Sequence, residues 1–427
     1  MKRSLWYATL VALAVLTYHR ALSAYFFDDD LQWLVGSWAF RPSNVWAFGR
    51  MEHFYRPVID LYFAVGTRAF GGSPMSFHAA NIAMHAANAV VLVMLLGRLT
   101  RHEWYAGVAA LFFVVQPGGI DAVAWVGALA EPLGTLFGCL SLLWFLEWRE
   151  TGRSHYQWQS WLAFAAALLT HESSVVFLPL LALVDRVRAV EHRRDDVQPQ
   201  PSIAQRLRPL AAYAALTVVY LTIDLFINSR NYVVRDGHYT IGWHMLTNAL
   251  RYIESMYVGR FDLVNDSLVV LVLAWLLVAG TSRTRLAVLW MLMALMPFVP
   301  FTWSNTSRYM YQPSIGLSML MAEAVVQVSR MLRGRASERV RLTVVVALVA
   351  LLAARSMRFA MHNVEQFAGR TEVYRREAAR IVAAHGPLPS GTVIVADEPL
   401  QAALSYPFAN ALTSWAYQDP TITLAPY

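Results

Sequence analysis

The sequence predicts an all-α polytopic membrane protein, and its composition and hydropathy pattern support this class. Of the 427 residues, 57% are hydrophobic and 15% are charged, whereas soluble domains carry about 25% charged residues. The hydrophobic residues collect in apolar runs separated by arginines. The net charge of +7 therefore fits loops that face anionic cytoplasmic lipid, and we expect no nucleic-acid partner.

Eleven apolar runs are predicted to cross the membrane as helices. The first, from Leu5 to about Ala24, follows a basic start, so a cleaved signal peptide is an alternative to a retained span. Its length reaches the ~20 residues that a bilayer requires, which favours a retained span. The other runs lie near residues 78–96, 105–117, 130–147, 158–170, 173–187, 209–227, 266–281, 286–301, 311–329 and 342–358.

The arginine distribution predicts the orientation. Pairs such as Arg98 with Arg101 and Arg149 with Arg153 lie on alternate connections, which the positive-inside rule assigns to the cytoplasm together with the N-terminus. The loops 25–77 and 228–265 and the C-terminal tail then lie on the outer side. Because nearly all basic residues are arginine, we favour a bacterial inner (plasma) membrane, with the tail in the periplasm.

The outer segments are predicted to be partly structured. The aromatic-rich stretches Leu31–Phe40 and Val58–Phe70 suit interfacial helices that roof a cavity at the bilayer edge. In the tail, Val364–His385 fits an amphipathic helix and Thr392–Asp397 fits a strand. About sixty residues hold too little core to fold alone, so we expect a small C-terminal α/β cap packed on the membrane part.

This division gives two modules. Residues 1–358 form the transmembrane module, and residues 359–427 form a small extracytoplasmic segment. Arg193–Ser202, with two prolines and mixed charge, is expected to be a flexible cytoplasmic linker.

Three adjacent carboxylates, Asp28, Asp29 and Asp30, follow the first apolar run. They cannot all face one way on a regular element, so at most two converge. Two converging carboxylates can share a divalent cation, or one can act as a general base that the other orients. The alternative is that the acids cap the helix predicted from Leu31, and both interpretations stay open.

Two outer arginines stand where topology does not require positive charge. Arg56 follows Tyr55 and precedes a helix-starting proline. Its guanidinium can bind a phosphate bidentately, or it can pair with Asp60 or a lipid headgroup. Arg308, beside Tyr309 in a short outer connection, is suited to holding an anion, either a phosphate or the acid triplet.

Polar residues also recur on the second predicted span. His78, Asn81, His85 and Asn88 are spaced by three, four and three residues, so they share one helix face. Such a stripe can contact a polar ligand, but hydrogen bonds between helices explain it as well. We favour the structural explanation.

Ionisable groups occur at two further outer positions. Glu131 lies at the mouth of the fourth predicted span, and His171 with Glu172 occupies the tight turn between the fifth and sixth. Such groups at bilayer depth are costly unless they face a cavity. This favours a functional role, although Glu172 can also cap a helix. A histidine here would make a phosphate contact pH-dependent.

Together these motifs resemble the membrane part of GT-C glycosyltransferases, in particular the transmembrane and tetratricopeptide-repeat protein O-mannosyltransferases and their bacterial relatives. The order and spacing of the motifs carry the resemblance over most of residues 5–330. The motifs are the acid triplet, Tyr55-Arg56-Pro57, Phe77-His78 with Asn81, His85 and Asn88, Ala124-Trp125-Val126-Gly127 before Glu131, His171-Glu172, and the stretch from Ser307 to Ser314.

The resemblance implies a GT-C-like bundle and an inverting hexosyl- or pentosyltransferase. Such an enzyme moves a sugar from a polyprenyl-phosphate donor to a hydroxyl of a protein, glycan or lipid acceptor at the outer face. Asp28 and Asp29 match the paired catalytic acids; the third aspartate leaves the choice of base open, with Asp28 preferred and Asp29 second. The residues expected to bind the donor phosphate are Arg56, His171, Arg308 and Tyr309. Those expected to support the site or bind the acceptor are Asp30, Tyr55, His78, His85, Glu131 and Glu172.

Two points qualify this expectation. A divalent cation, Mg²⁺ or Mn²⁺, on Asp28 and Asp29 is compatible with the paired acids, although they do not require one. A membrane transporter or flippase for a lipid-linked sugar is the functional alternative. That alternative predicts inverted repeats and broken helices, and the sequence shows neither.

Overall fold

The computed structural model describes residues 3–46, 54–191, 202–257, 262–303 and 306–427. The expected linker Arg193–Ser202, except for Ser202, lies outside these ranges. The α-helices are α1 Arg3–Tyr18, α2 Asp29–Trp38, α3 Pro57–Phe70, α4 Pro74–Thr100, α5 Glu103–Val115, α6 Ile120–Ala124, α7 Ala130–Thr151, α8 Ser154–Leu168, α9 Phe177–Glu191, α10 Ile203–Leu207, α11 Ala211–Asn228, α12 Tyr232–Arg235, α13 His244–Tyr257, α14 Leu263–Ala279, α15 Ser282–Leu295, α16 Tyr311–Leu332, α17 Glu338–His385, α18 Glu398–Ala403 and α19 Tyr406–Ala416.

The remaining regular structure is short. Two strands, β1 Val393–Ile394 and β2 Thr423–Leu424, form one parallel pair. Single 3₁₀ turns span His19–Ser23, Pro42–Trp46, Val126–Leu129, Glu172–Val176, Arg208–Leu210 and Ser307–Met310.

Every predicted apolar run coincides with a helix, namely α1, α4, α5, α7, α8, α9, α11 and α14 to α17. Within the described ranges, 6 helical segments are long and apolar enough to cross a membrane, and α5 and α14 are shorter apolar helices. The predicted all-α membrane class is therefore confirmed, whereas the number of spans stays a prediction. The two expected roof helices are also present, as α2 and α3.

The first helix belongs to the bundle. Trp6, Leu10, Ala14 and Tyr18 recur at intervals of four residues and form one buried face of α1. This face packs on α4 and α5. Burying an apolar stripe of this kind is what holds a helix in a helical bundle.

Helix α17 connects the bundle to the cap as one continuous element of 48 residues. It begins at Ser337, whose hydroxyl accepts a hydrogen bond from the backbone N–H of Val340 at 3.3 Å. At 1.5 Å per residue it is about 72 Å long, whereas the hydrocarbon core of a bilayer is about 30 Å thick. The boundary that we place between residues 358 and 359 lies inside this helix, so the two-module division stays a prediction.

The cap shares a core with the roof helices. Phe26, Leu34 and Phe63 of the first loop belong to the same buried cluster as Leu412 and Trp415 of α19. Within the cap, β1 pairs with β2, with Val393 opposite Thr423 and Ile394 opposite Leu424. The cap is thus packed on the membrane part, as expected for a unit too small to be stable alone.

Trp415→Ala tests this shared core. Trp415 stacks on Trp38 at a centroid distance of 5.5 Å and meets Phe26 edge to face, also at 5.5 Å. We expect a loss of about 3–5 kcal/mol in the free energy of unfolding, measured by denaturant titration in detergent. Trp158→Ala is the control, because Trp158 on α8 is 60% exposed. Equal losses in both variants would contradict the shared core.

Candidate active site

A cavity of about 540 Å³ lies among the first turn of α2, the turns before α9 and α16, and the end of α11. This volume lies within the range of ligand pockets. The predicted site residues that line it are Asp29, Arg56, Glu131, His171, Glu172, Arg308 and Tyr309. The fold thus brings together side chains from five separate stretches of the sequence. Asp28, Asp30, Tyr55, His78 and His85 are not among the lining residues.

The three acids of the triplet point to three different surroundings. The Asp28 carboxylate accepts a hydrogen bond from the Tyr374 hydroxyl of α17, and Asp29 lines the cavity. Asp30 is fully buried, and its two oxygens accept the backbone N–H groups of Phe27, at 2.8 Å, and of Gly127. Asp30 therefore ties the start of α2 to the segment before it and to Gly127, and Asp29 is the acid of the triplet that lines the cavity.

Gly127 gives Asp30 the space that this arrangement needs. A Cβ atom at Gly127 would lie 2.8 Å from Asp30 Oδ1, closer than the two atoms can approach. Burial raises the pKa of Asp30 well above its usual value, although the N–H groups of Phe27 and Gly127 favour the charged form. Burial also raises the pKa of Asp28, and the Tyr374 hydrogen bond opposes that rise.

Helix α17 braces the segment that leads into the triplet. Thr371 Oγ1 accepts the backbone N–H of Tyr25 at 2.9 Å, and Arg375 Nη2 donates to the carbonyl of Ser23 at 2.6 Å. These contacts hold a backbone that is unusual at Asp28, where φ is 45° and ψ is −114°. A non-glycine residue in a sparsely populated conformation costs about 1–3 kcal/mol and persists only where its surroundings enforce it.

Arg56 is committed to Glu172. Its Nε donates to Glu172 Oε2 at 2.9 Å and its Nη2 donates to Oε1 at 2.5 Å, which is the bidentate geometry of strong arginine–carboxylate pairs. Burial by itself would raise the pKa of Glu172, but the Arg56 guanidinium outweighs it and lowers that pKa to about 2. In the structure Arg56 is therefore paired with Glu172 rather than with Asp60, and the pair is close to neutral.

Arg308 carries the uncompensated positive charge. Its Nη2 donates to the Tyr309 hydroxyl at 3.3 Å, and its guanidinium lies 4.6 Å from the centroid of Trp125. Arg56 and Arg308 are the arginines that line the cavity, and no carboxylate of the described residues forms an ion pair with Arg308 within 4.0 Å. Asp29 nevertheless attracts it electrostatically.

His171 caps the turn before α9 and lies beside Glu131. Its Nδ1 accepts the backbone N–H of Ser173 at 3.1 Å, so the neutral ring carries its proton on Nε2, which lies 3.4 Å from Glu131 Oε1. Burial lowers the pKa of His171 to about 3. The ring is therefore neutral near pH 7, and the pH-dependent phosphate contact that a histidine suggested is not expected there.

The polar stripe of α4 makes contacts between helices. Asn81 Nδ2 donates to the carbonyl of Trp125 at 2.9 Å, and Asn88 Nδ2 donates to that of Pro132 at 2.8 Å. His85 lies between the Tyr311 hydroxyl, at 2.8 Å from Nδ1, and the Val114 carbonyl, at 3.2 Å from Nε2. These contacts, on the face that also holds the buried His78, agree with the structural explanation and fit a supporting role.

Tyr55 is likewise buried away from the cavity lining. It lies 6.4 Å from the ring of Tyr220, between ring centroids. This position places it next to Arg56 without exposing it to a substrate.

Sequence reasoning missed one wall of the cavity. Asp224, Asn228 and Asn231 also line it. The signal was available, because Asp224 is an acid within the apolar run 209–227, and acids inside membrane segments are rare and usually functional.

The paired acids do not form a metal site. In the part of the chain that the structure describes, no group of three or more His, Cys, Asp or Glu side chains could hold a metal ion. Asp28 turns to Tyr374 while Asp29 faces the cavity, so the two carboxylates do not converge on a shared cation.

Comparisons with known proteins agree with the predicted resemblance. No protein-family model matches the chain. The chain is similar to human protein O-mannosyl-transferase TMTC2, with 26% identity over 239 residues, which are 52% of this chain and 28% of that protein. It is also similar to human protein O-mannosyl-transferase TMTC1, with 30% identity over 159 residues, which are 34% of this chain and 18% of that protein. The chain thus matches less than a third of the length of these relatives.

Solved structures extend the likeness to the whole chain. ArnT from Cupriavidus metallidurans bound to undecaprenyl phosphate has a TM-score of 0.57 and 14% identity, covering 98% of this chain and 85% of ArnT. The Archaeoglobus fulgidus oligosaccharyltransferase tethered with an acceptor peptide has a TM-score of 0.52 and 12% identity, covering 98% of this chain and 63% of that chain. At such identities the likeness shows the fold. The predicted resemblance is confirmed: the chain has the fold of the GT-C glycosyltransferases.

Proposed function

We propose that the chain is an inverting glycosyltransferase that moves a sugar from a polyprenyl-phosphate donor to an acceptor hydroxyl, with Asp29 as the general base. The observation that carries this proposal is the placement of a carboxylate, Asp29, and an uncompensated guanidinium, Arg308, on one cavity. The resemblance to protein O-mannosyl-transferases supports the reaction class. The undecaprenyl phosphate in the ArnT structure supports the carrier class.

Each residue has a defined chemical task in this reaction. Asp29 takes the proton from the acceptor hydroxyl as its oxygen attacks the anomeric carbon. The bond between the anomeric carbon and the phosphate oxygen breaks, and the electron pair leaves with the lipid phosphate. Arg308, with Tyr309 beside it, stabilises the negative charge that develops on this phosphate. Attack on the side opposite the leaving group inverts the anomeric configuration.

The other ionisable residues shape the cavity around this reaction. Asp28, held by Tyr374, positions the turn from which Asp29 projects. Arg56 and Glu172 form a rigid wall as a nearly neutral pair. His171, neutral and protonated on Nε2, is a donor that can serve the phosphate or Glu131.

We further propose where the reaction takes place. The arginine distribution favours a cytoplasmic N-terminus and a site on the periplasmic face of a bacterial inner membrane. The acceptor is defined by its chemistry as a hydroxyl group, carried by a protein, a glycan or a lipid.

Asp29→Asn tests the proposed base. Loss of a general base typically costs 10²–10⁴-fold in rate, so we expect a loss of about that size in sugar transfer from a radiolabelled polyprenyl-phosphate sugar in membranes. We expect Asp28→Asn to lose about tenfold, because Asp28 acts through the position of Asp29.

The control for this assay is Asp236→Asn, since Asp236 is exposed and paired with Arg235 outside the cavity. Wild-type transfer by Asp29→Asn would refute the assignment. Wild-type protein that moves the donor across a bilayer without transferring its sugar would instead establish the flippase alternative.

His171→Gln tests the buried neutral histidine. The pKa of His171 is lowered in the folded protein to about 3, against about 6.5 when unfolded. The unfolded chain thus binds more protons between these values, so stability falls as the pH drops from 6.5 towards 3. At about 1.4 kcal/mol per pH unit, His171 accounts for roughly 2 kcal/mol between pH 6.5 and 5. Melting temperatures at pH 7.5 and 5.0 should differ less in His171→Gln than in wild type; an equal difference would contradict a buried neutral ring.

A further inference from the structure

We propose that Asp224, Asn228 and Asn231 form a subsite that binds the hydroxyl groups of the donor sugar. We call these three residues the sugar wall. This inference rests on the proposed function and deepens it, because it assigns the part of the donor that the phosphate site does not bind.

The sugar wall lies on the cavity-facing edge of α11 and in the residues that directly follow this helix. Asp224 is 5% exposed and lines the cavity, whereas Val218, Val219 and Phe226 on the same helix are 63%, 60% and 52% exposed. Asn228 follows Asp224 by one helical turn, and Asn231 begins α12 directly afterwards. A buried acid in an otherwise apolar helix needs a polar partner or a ligand to offset its desolvation.

The partners that the protein supplies leave capacity for a ligand. Asp224 Oδ1 accepts from the Tyr220 hydroxyl at 3.3 Å, and Oδ2 accepts from Asn228 Nδ2 at 3.0 Å. A carboxylate can accept about four hydrogen bonds, so about half of its capacity is unused. Both partners lie on α11 itself, so among the described residues these hydrogen bonds do not tie the acid to a neighbouring helix.

The two asparagines contribute further unused groups. Asn231 is 1% exposed; its Oδ1 accepts the N–H of Val233 at 2.9 Å, but its Nδ2 has no partner among the described residues. Asn228 Oδ1 is likewise without a partner there. Buried polar groups are nearly always hydrogen-bonded, and an unmade bond is costly. A ligand that offers both donors and acceptors at this wall would remove the cost.

Charge identifies the kind of ligand. The arginines of the cavity are Arg308, assigned to the phosphate, and Arg56, neutralised by Glu172. The sugar wall has a carboxylate and two amides and contributes no cation, so it disfavours a phosphate. Sugar hydroxyls fit it, because each can donate to the Asp224 carboxylate or accept from an amide N–H.

The cavity can hold both parts of the donor head. Its volume of about 540 Å³ is within the 300–1,000 Å³ that drug-sized ligands occupy. The phosphate at Arg308 and the sugar ring at the sugar wall then divide the cavity between an anion site and a hydroxyl site. Sugar selectivity resides in the second of these.

The test compares two lipids on one protein. Binding of polyprenyl phosphate and of polyprenyl-phosphate mannose is measured in nanodiscs for wild type and for Asp224→Asn, which keeps the size of the side chain. We expect the affinity for the mannose-linked lipid to fall about tenfold, in line with loss of a hydrogen bond to a charged group, and the affinity for the bare phosphate to stay within twofold. Thr222→Ala, on the lipid-facing side of the same helix, is the matched control and should change neither.

Equal losses for both lipids, or no loss for either, would overturn the sugar wall. Asn231→Ala is the second variant in case Asp224→Asn does not fold, as judged by its melting temperature, and the same two outcomes apply to it. Wild-type protein that binds neither lipid would overturn the proposed function and the sugar wall together. Wild-type protein that binds both lipids equally well overturns the sugar wall alone.

Discussion

The positive-φ backbone at Asp28 is the constraint on which the site depends. Within a helix, successive side chains are about 100° apart, and the turn before α2 adds a further change of direction. As a result, Asp28 accepts a hydrogen bond from Tyr374, Asp29 lines the cavity, and Asp30 accepts the backbone N–H of Gly127. The three carboxylates, which would repel one another in one pocket, are thereby separated, and one of them faces the cavity.

The cap consequently contributes to the active site rather than only covering it. The same long helix that leaves the bundle supplies Thr371, Tyr374 and Arg375, and these hold the segment from Ser23 to Asp28. Its far end packs with α19 on the roof helices. Helix α17 thus connects the cap to the acid triplet as one continuous element.

The two arginines of the cavity differ in whether a carboxylate neutralises their positive charge. The Arg56 and Glu172 side chains are both mostly buried, and breaking a buried pair typically costs about 3–5 kcal/mol because a lone charge is left behind. That cost favours a closed pair, so we assign the phosphate to Arg308 rather than to Arg56. Arg308 rests on the faces of Trp125 and Tyr309, which orient a cation without neutralising its charge. An incoming phosphate can therefore use all of it.

The sequence predicted the helices well because the bilayer imposes a length and an apolar composition on each of them. It also placed Asp29, Glu131, His171, Glu172 and Arg308 on one side of the membrane, and the structure brings them to one cavity. The hydrogen-bond partners of these side chains could not be predicted from the sequence, because Glu172 lies 116 residues from Arg56 and Tyr374 lies 346 residues from Asp28. Such pairs depend on tertiary packing, which periodicity does not encode. The sequence shows Asp224 inside an apolar run, but that run does not indicate whether the side chain faces the cavity.

The most direct test of the central claim is an experimental structure with a polyprenyl phosphate bound in the cavity. We expect phosphate oxygens within hydrogen-bonding distance of the Arg308 guanidinium, with Asp29 facing the same space and the Arg56–Glu172 pair intact. A phosphate bound by Arg56 with that pair broken, or a phosphate located on the Asp28 side of the triplet, would contradict it.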